Sequence, residues 1–185
     1  MRLLHKNQKG FTLIEVLITV AMLAGIGVVT TAAIGQLVQS NRTSNHMAAV
    51  RQVQQAGYWV NRDGVQAQNI NTSNVTGNGG FPLTLSWNWT DLGEGGEAHE
   101  VVYNLTPAGG LYELRRQETV VNTTTTVVGS TTVVGQYIHF DAESPSSTEC
   151  SWNATEWLLT INITAKVGLQ TESRTYEIKP RPSVE

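Results

Sequence analysis

Apolar positions are spread unevenly along the chain. Residues 11–38 form one nearly continuous apolar run that carries a single charge, Glu15. About 20 apolar helical residues cross the roughly 30 Å hydrocarbon layer of a bilayer, so the run predicts a membrane-spanning helix. No proline occurs before Pro82, and nothing obliges the helix to stop at the membrane surface. Beyond Arg42, Met47, Val50, Val53, Gly57 and Val60 recur at three- and four-residue intervals, the pattern of a helix with one buried face. The helix is expected to run on to about Asn69, with Gly57 and Gly64 weakening its second half. Gly25, Gly27 and Gly35 are tolerated within lipid and allow close helix contact.

The period changes after residue 70. Residues 71–80 are dominated by Asn, Ser, Thr and Gly without an apolar period, which marks a linker. Leu83, Leu85, Trp87 and Trp89 then alternate with polar residues, as do Leu159, Ile161, Ile163, Ala165 and Val167. Each is the period-two pattern of a strand with one buried face. Shorter strand candidates lie at 101–103, 111–114, 137–140 and 175–178. A duplicated Thr-Thr-Val-Val-Gly, at 125–129 and 131–135, predicts a hairpin turning at Gly129-Ser130. The expected fold class is α+β: a long N-terminal helix, membrane-spanning in its first half, packed on a C-terminal antiparallel β-sheet head. The expected segments are a cytoplasmic leader at 1–10, the membrane half of the helix at 11–38, its amphipathic half at 39–70, and an extracytoplasmic head at 71–185.

Composition narrows the function classes. A chain of 185 residues holds one modest domain plus a long accessory element. The net charge is −3 and no basic stripe occurs beyond the first ten residues, so no nucleic acid contact is predicted. Cys150 is the only cysteine, which excludes an internal disulfide and a multi-cysteine metal site, and its neighbours include no base to activate it. Arg2, His5, Lys6 and Lys9 precede the apolar run, which places the N-terminus in the cytoplasm and the rest outside.

Glu15 separates the possible roles of the apolar run. A secretory signal peptide has a short uninterrupted core and a small-residue cleavage site after it, for which Thr30-Thr31-Ala32-Ala33 is a weak candidate. A plain anchor gains nothing from a carboxylate, whose cost at the bilayer centre is about 2.5–3.5 kcal/mol. By default such a group marks function.

The stretch Lys9-Gly10-Phe11-Thr12-Leu13-Ile14-Glu15-Val16-Leu17 resembles the leader and mature start of type IV prepilins and pseudopilins. The resemblance implies cleavage between Gly10 and Phe11 by a prepilin peptidase that is also a methyltransferase, N-methylation of Phe11, and a role for Glu15 in subunit assembly. Glu15 would neutralise the new amino group of a neighbouring subunit, offsetting the burial of both charges. It also implies a lollipop-shaped subunit whose partners are other pilin or pseudopilin subunits, an inner-membrane assembly platform and the lipid bilayer. The head segments at 101–105, 110–116 and 137–140 and the terminal strand pair ending near Arg181 resemble the head of J-type minor pseudopilins and related minor pilins, and the cysteine pair of many major pilins is missing. The expected function is a structural subunit, a minor pilin or pseudopilin, of a membrane-anchored filament. The alternatives are a membrane-anchored binding or adhesion module outside any filament, and an enzyme released after cleavage near Ala33. Pilus, type II secretion and DNA-uptake systems share this leader.

No catalytic residue, metal or cofactor is assigned, and the chain is not expected to be an enzyme. His46, His99 and His139 fall on different elements, with no Gly-flanked serine or metal-spaced His pair beside them. Asp91, Glu94, Glu97 and Glu100 crowd a Gly-rich loop whose oxygens would suit calcium, as in some pseudopilins, but their spacing matches no calcium loop and a solvated acidic loop is expected. Trp87 and Trp89 offer either a stacking platform or a core face, and their alternation with polar residues favours the core.

Overall fold

The structure, a computed structural model, describes residues 11–89, 96–122, 125–144 and 147–181. Gly10 and the rest of the leader, and Asp91 and Glu94 of the acidic loop, lie outside the described residues, as does the side chain of Trp89. Among the described residues, one helix, α1 (Leu13–Gln66), is followed by nine strands: β1 (Asn69–Thr72), β2 (Leu83–Trp89), β3 (Glu97–Ala108), β4 (Leu111–Val121), β5 (Thr126–Val128), β6 (Thr132–Ile138), β7 (Glu149–Asn153), β8 (Leu158–Val167) and β9 (Gln170–Ile178). The contacts divide the chain into two units, Met1–Thr43 and Ser44–Glu185.

In the first unit every described residue is exposed, from Phe11 onward. The 18-residue window that qualifies α1 as a candidate span has a mean hydropathy of 2.3 and is 0% buried. Hydroxyls in this stretch are satisfied within the helix: Thr19 donates to the Val16 carbonyl, Thr30 to Ile26 and Thr31 to Gly27, each at 2.8 Å. An apolar medium offers no other partner, so these bonds suit the segment to lipid.

The second unit is an antiparallel sheet in the order β1-β2-β3-β4-β6-β8-β7, with β5 paired to β4 and β9 to β8. Its inner face carries Leu83, Leu85, Val101, Tyr103, Leu114, Leu159, Ile161 and Ile163, all at 0% exposure. Against them pack Ala49, Val53, Ala56 and Val60 of α1. Full burial of a Val or Leu side chain contributes about 1.5–3 kcal/mol, so this layer is the main source of the head's stability.

The buried helix stripe differs from the expected one. Val53, Gly57 and Val60 are buried and Val50 is half-buried, but Met47 is 48% exposed, while Ala49, Ala56, Asp63 and Gly64 are buried. Small residues face the sheet because the two backbones run close together. A Cβ at Gly57 would fall inside the Tyr176 ring, and one at Gly64 would lie 3.0 Å from Ile178 Cγ2. These glycines are close-approach positions, and the Tyr176 hydroxyl donates to the Val53 carbonyl at 3.2 Å beside them.

Four further expectations are corrected. The helix spans Leu13–Gln66 and not 11–69, because the Thr12 carbonyl opens its hydrogen-bond ladder and Gln68 N already donates to the Ser86 carbonyl at 2.8 Å. The linker loses Asn71 and Thr72 to β1, which pairs with β2. His139 and Phe140 lie beyond β6, which ends at Ile138. The duplicated Thr-Val-Val segments are not two arms of a hairpin. Both pair with β4, Thr119 opposite Val128 and Arg116 opposite Thr132. The turn lies instead around Asn122, whose Oδ1 accepts from Thr125 N at 2.7 Å, and Gly129 N donates to the Glu118 carbonyl and keeps the chain on β4.

Candidate functional site

Among the residues singled out in the sequence, Phe11 and Glu15 are described and Gly10 is not. Phe11 precedes the helix and is 79% exposed. The Thr12 carbonyl accepts from Glu15 N at 3.0 Å and Val16 N at 3.2 Å, so Thr12 holds the cap position and Glu15 lies in the first turn. A carboxylate there is favoured by the positive end of the helix dipole. No described side chain forms a hydrogen bond or ion pair with Glu15. Phe11, Leu13, Ile14 and Leu17 surround it and are all more than half exposed. Among the described residues, this end of the chain thus presents an apolar surface with one acid in the first helical turn.

A second charged centre lies in the head and was not anticipated from sequence. Asp63 of α1 is 1% exposed. Its Oδ2 accepts from the Tyr103 hydroxyl at 2.5 Å and from Arg116 Nε at 2.6 Å, and its Oδ1 from Arg116 Nη2 at 3.2 Å. Arg116 Nη2 also donates to Glu118 Oε2 at 3.0 Å, and Glu118 Oε1 lies 3.1 Å from His99 Nδ1. His99 stacks on Trp87 at 5.3 Å and 7°, and Trp59 lies 5.2 Å from the Arg116 guanidinium. The cluster therefore ties α1 to β3 and β4 through one carboxylate.

Protonation follows from these partners. Burial alone would pull the Arg116 pKa down, but the hydrogen bonds and charges of Asp63 and the hydrogen bond of Glu118 outweigh it and raise it. Burial, then the charge and hydrogen bond of Asp63, raises the Tyr103 phenol, which stays protonated. Burial pushes Glu118 upward, but hydrogen bonds from His99 and Arg116 outweigh it and hold the carboxyl below its usual range. With Asp63 sealed from solvent, the cluster fastens the helix to the sheet and offers no access to a substrate. In sequence, Asp63 falls one helical step beyond Val60 on the buried stripe, and Arg116 follows Leu114 on an alternating strand; reading strictly by residue type places both outside the core.

The acidic loop yields only Glu97 and Glu100 among the described residues. Glu97 lies 3.7 Å from His99 Nε2, and no His, Cys, Asp or Glu cluster suited to a metal occurs among the described residues. Trp87 is 5% exposed and belongs to the core. Cys150, placed in a polar stretch by sequence, is buried in β7, where burial and then the charge of Glu149 push its thiol up to about 12.

An exposed apolar helix that opens on a carboxylate, followed by an amphipathic helix packed on an antiparallel sheet, defines a pilin-like protein. Residues 5–24 match the prokaryotic N-terminal methylation motif, which supports a type IV pilin-like, prepilin-processed reading of the chain. The motif and the long apolar helix that follows it together support membrane anchoring. No curated protein and no solved structure matches the chain.

Proposed function

We propose that the chain is a minor pilin or pseudopilin, cut between Gly10 and Phe11, methylated on the Phe11 amino group, and incorporated into a membrane-anchored filament. The observation that carries this reading is Glu15. It is held in the first helical turn, inside an apolar surface, with no described side chain to neutralise it. An amino terminus created at Phe11 of a neighbouring subunit supplies the opposite charge at the same depth, and the pair fixes the axial position of one subunit on the next. The strand-rich head without a disulfide supports a minor, J-like subunit over a major one.

N-terminal sequencing of protein from native membranes tests the processing step and is expected to begin at N-methylated Phe11. A start near residue 34 would instead identify a released protein. Glu15→Ala is expected to be processed normally yet to be largely lost from sheared or purified filaments. Incorporation equal to wild type would remove Glu15 from assembly, and co-purification without any other pilin would leave an anchored binding module as the better description.

A further inference from the structure

Two depressions in the head share Tyr112 as a lining residue. The larger, about 350 Å³, is lined by Phe81, Pro82, Leu105, Pro107, Tyr112 and Phe140, with Asn78 and Asn104 at its rim. The smaller, about 170 Å³, is lined by Ala108, Tyr112, Glu113, Gln136 and Tyr137. Together they lie at the lower end of the range for small-molecule sites, roughly 300–1,000 Å³. Tyr112 and Phe140 meet edge to face at 5.4 Å and 86°, which makes a corner of two flat walls.

Three observations distinguish this cleft from an ordinary dent in a sheet. Tyr137 has φ 57°, a left-handed conformation costly for a bulky residue, and the residue is 47% exposed. It sits where β6 carries an extra residue against β4: Tyr112 pairs with Ile138 and Leu114 with Gly135. Such bulges re-aim side chains, and this one lines the smaller depression with an aromatic ring. The side-chain amides of Asn78, Asn104 and Gln136 make no hydrogen bond to a described residue. The one charged side chain of the cleft, Glu113, is already held by Arg115 Nε at 3.1 Å and Nη2 at 2.9 Å.

We infer that this cleft binds a short neutral oligosaccharide. Pyranose rings present flat C–H faces that stack on aromatic walls, and two rings would occupy the two depressions that share Tyr112. Each amide offers a donor and an acceptor together, which matches a pair of neighbouring hydroxyls that also donate and accept. A proline-rich segment would also suit aromatic walls, but its proline residues supply only carbonyl acceptors and leave the amide oxygens unused. The absence of an unpaired charge in the cleft disfavours acidic sugars and other anions.

The test uses the full chain in a zwitterionic, sugar-free detergent, since glycosidic detergents would compete. Saturation-transfer NMR is run against a panel of neutral hexose and N-acetylhexosamine oligosaccharides, sialylated counterparts and a polyproline peptide, each at millimolar concentration. At least one neutral member is expected to bind, with its ring protons saturated. Tyr137→Gly removes the ring and relieves the left-handed strain, and Asn104→Ala changes an exposed side chain. Each is expected to weaken binding at least about tenfold without lowering the melting temperature. Binding of no neutral sugar, binding of only sialylated sugars or polyproline, or neutral binding that both variants leave intact would overturn the proposal.

Discussion

Truncating Asp63 to alanine removes one side chain, leaves the Tyr103 hydroxyl and Arg116 Nε buried without their acceptor, and leaves Arg116 Nη2 with Glu118 alone. The guanidinium has 10% side-chain exposure, and of its two carboxylate partners Glu118 is the more exposed, so water cannot fully replace Asp63. Removing one partner of a buried ion pair costs about 3–5 kcal/mol, a large share of the roughly 5–15 kcal/mol that holds a domain together. At about 2–4 °C per kcal/mol for a domain of this size, the melting temperature should fall by roughly 10–15 °C. Near-UV circular dichroism of the full chain in detergent reads that transition, because Trp59 and Trp87 both lie against the cluster. The companion variant carries Asp63→Leu, Arg116→Met and Tyr103→Phe together. Replacing the whole group by apolar side chains of similar size should cost much less than the single truncation, since no buried charge is stranded. An Asp63→Ala protein that melts within about 3 °C of wild type would show that solvent reaches the guanidinium and would refute the account of a sealed fastener.

Gly57→Ala, which stabilises an ordinary helix by up to about 1 kcal/mol, should instead destabilise this head by about 1–3 kcal/mol, because the new methyl occupies the Tyr176 ring position; Gly57→Ala with Tyr176→Ala should regain part of the loss in the same melting assay. Cys150 should resist a thiol reagent at pH 8 in the folded protein and react once denaturant is added; since its thiol is raised from about 8.5, the stability linked to it is present below that pH and lost as pH rises toward about 12, a decline that Cys150→Ala should reduce. Glu118 has the opposite sign: its folded carboxyl is depressed, so its contribution is present above the ordinary value of about 4.3 and lost as pH falls below it, and Glu118→Gln should flatten the acid limb of a stability–pH curve.

Legibility in the sequence depended on how large the contributing side chains are. The membrane half of α1 and the strands β2 and β8 rest on long apolar runs or clean alternation, and both signals survive any tertiary context. The helix stripe was offset because Ala49, Ala56 and Gly64 contribute little hydrophobic pattern, although they decide how close helix and sheet come. Strand β7, Glu-Cys-Ser-Trp-Asn, has too few apolar residues to announce itself and is held by its pairing with β8. The repeated Thr-Val-Val runs were read as a hairpin because a two-residue turn is the commonest link between adjacent strands; instead, Asn122 turns the chain earlier and both runs share one neighbour. Asp63 and Arg116 were illegible singly, since a buried charge is acceptable only with a partner, and theirs is 53 residues away in sequence.

The two carboxylates Glu15 and Asp63 stand in one helix among apolar neighbours and are treated in opposite ways. Asp63 receives every donor it needs from β3 and β4 of its own chain, so its burial is settled when the head folds. Glu15 receives none from any described residue, and the surface around it is as exposed as the acid itself. A buried charge without a partner is strongly unfavourable, so an apolar segment that keeps one is stable in a packed bundle only when another molecule brings the counter-charge. On the proposed role of Glu15, the first arrangement makes the head independent of assembly, and the second makes the helix start dependent on it. Loss of Asp63 should therefore reduce the amount of folded head at every stage, whereas loss of Glu15 should leave the melting of the head unchanged and act only where subunits meet.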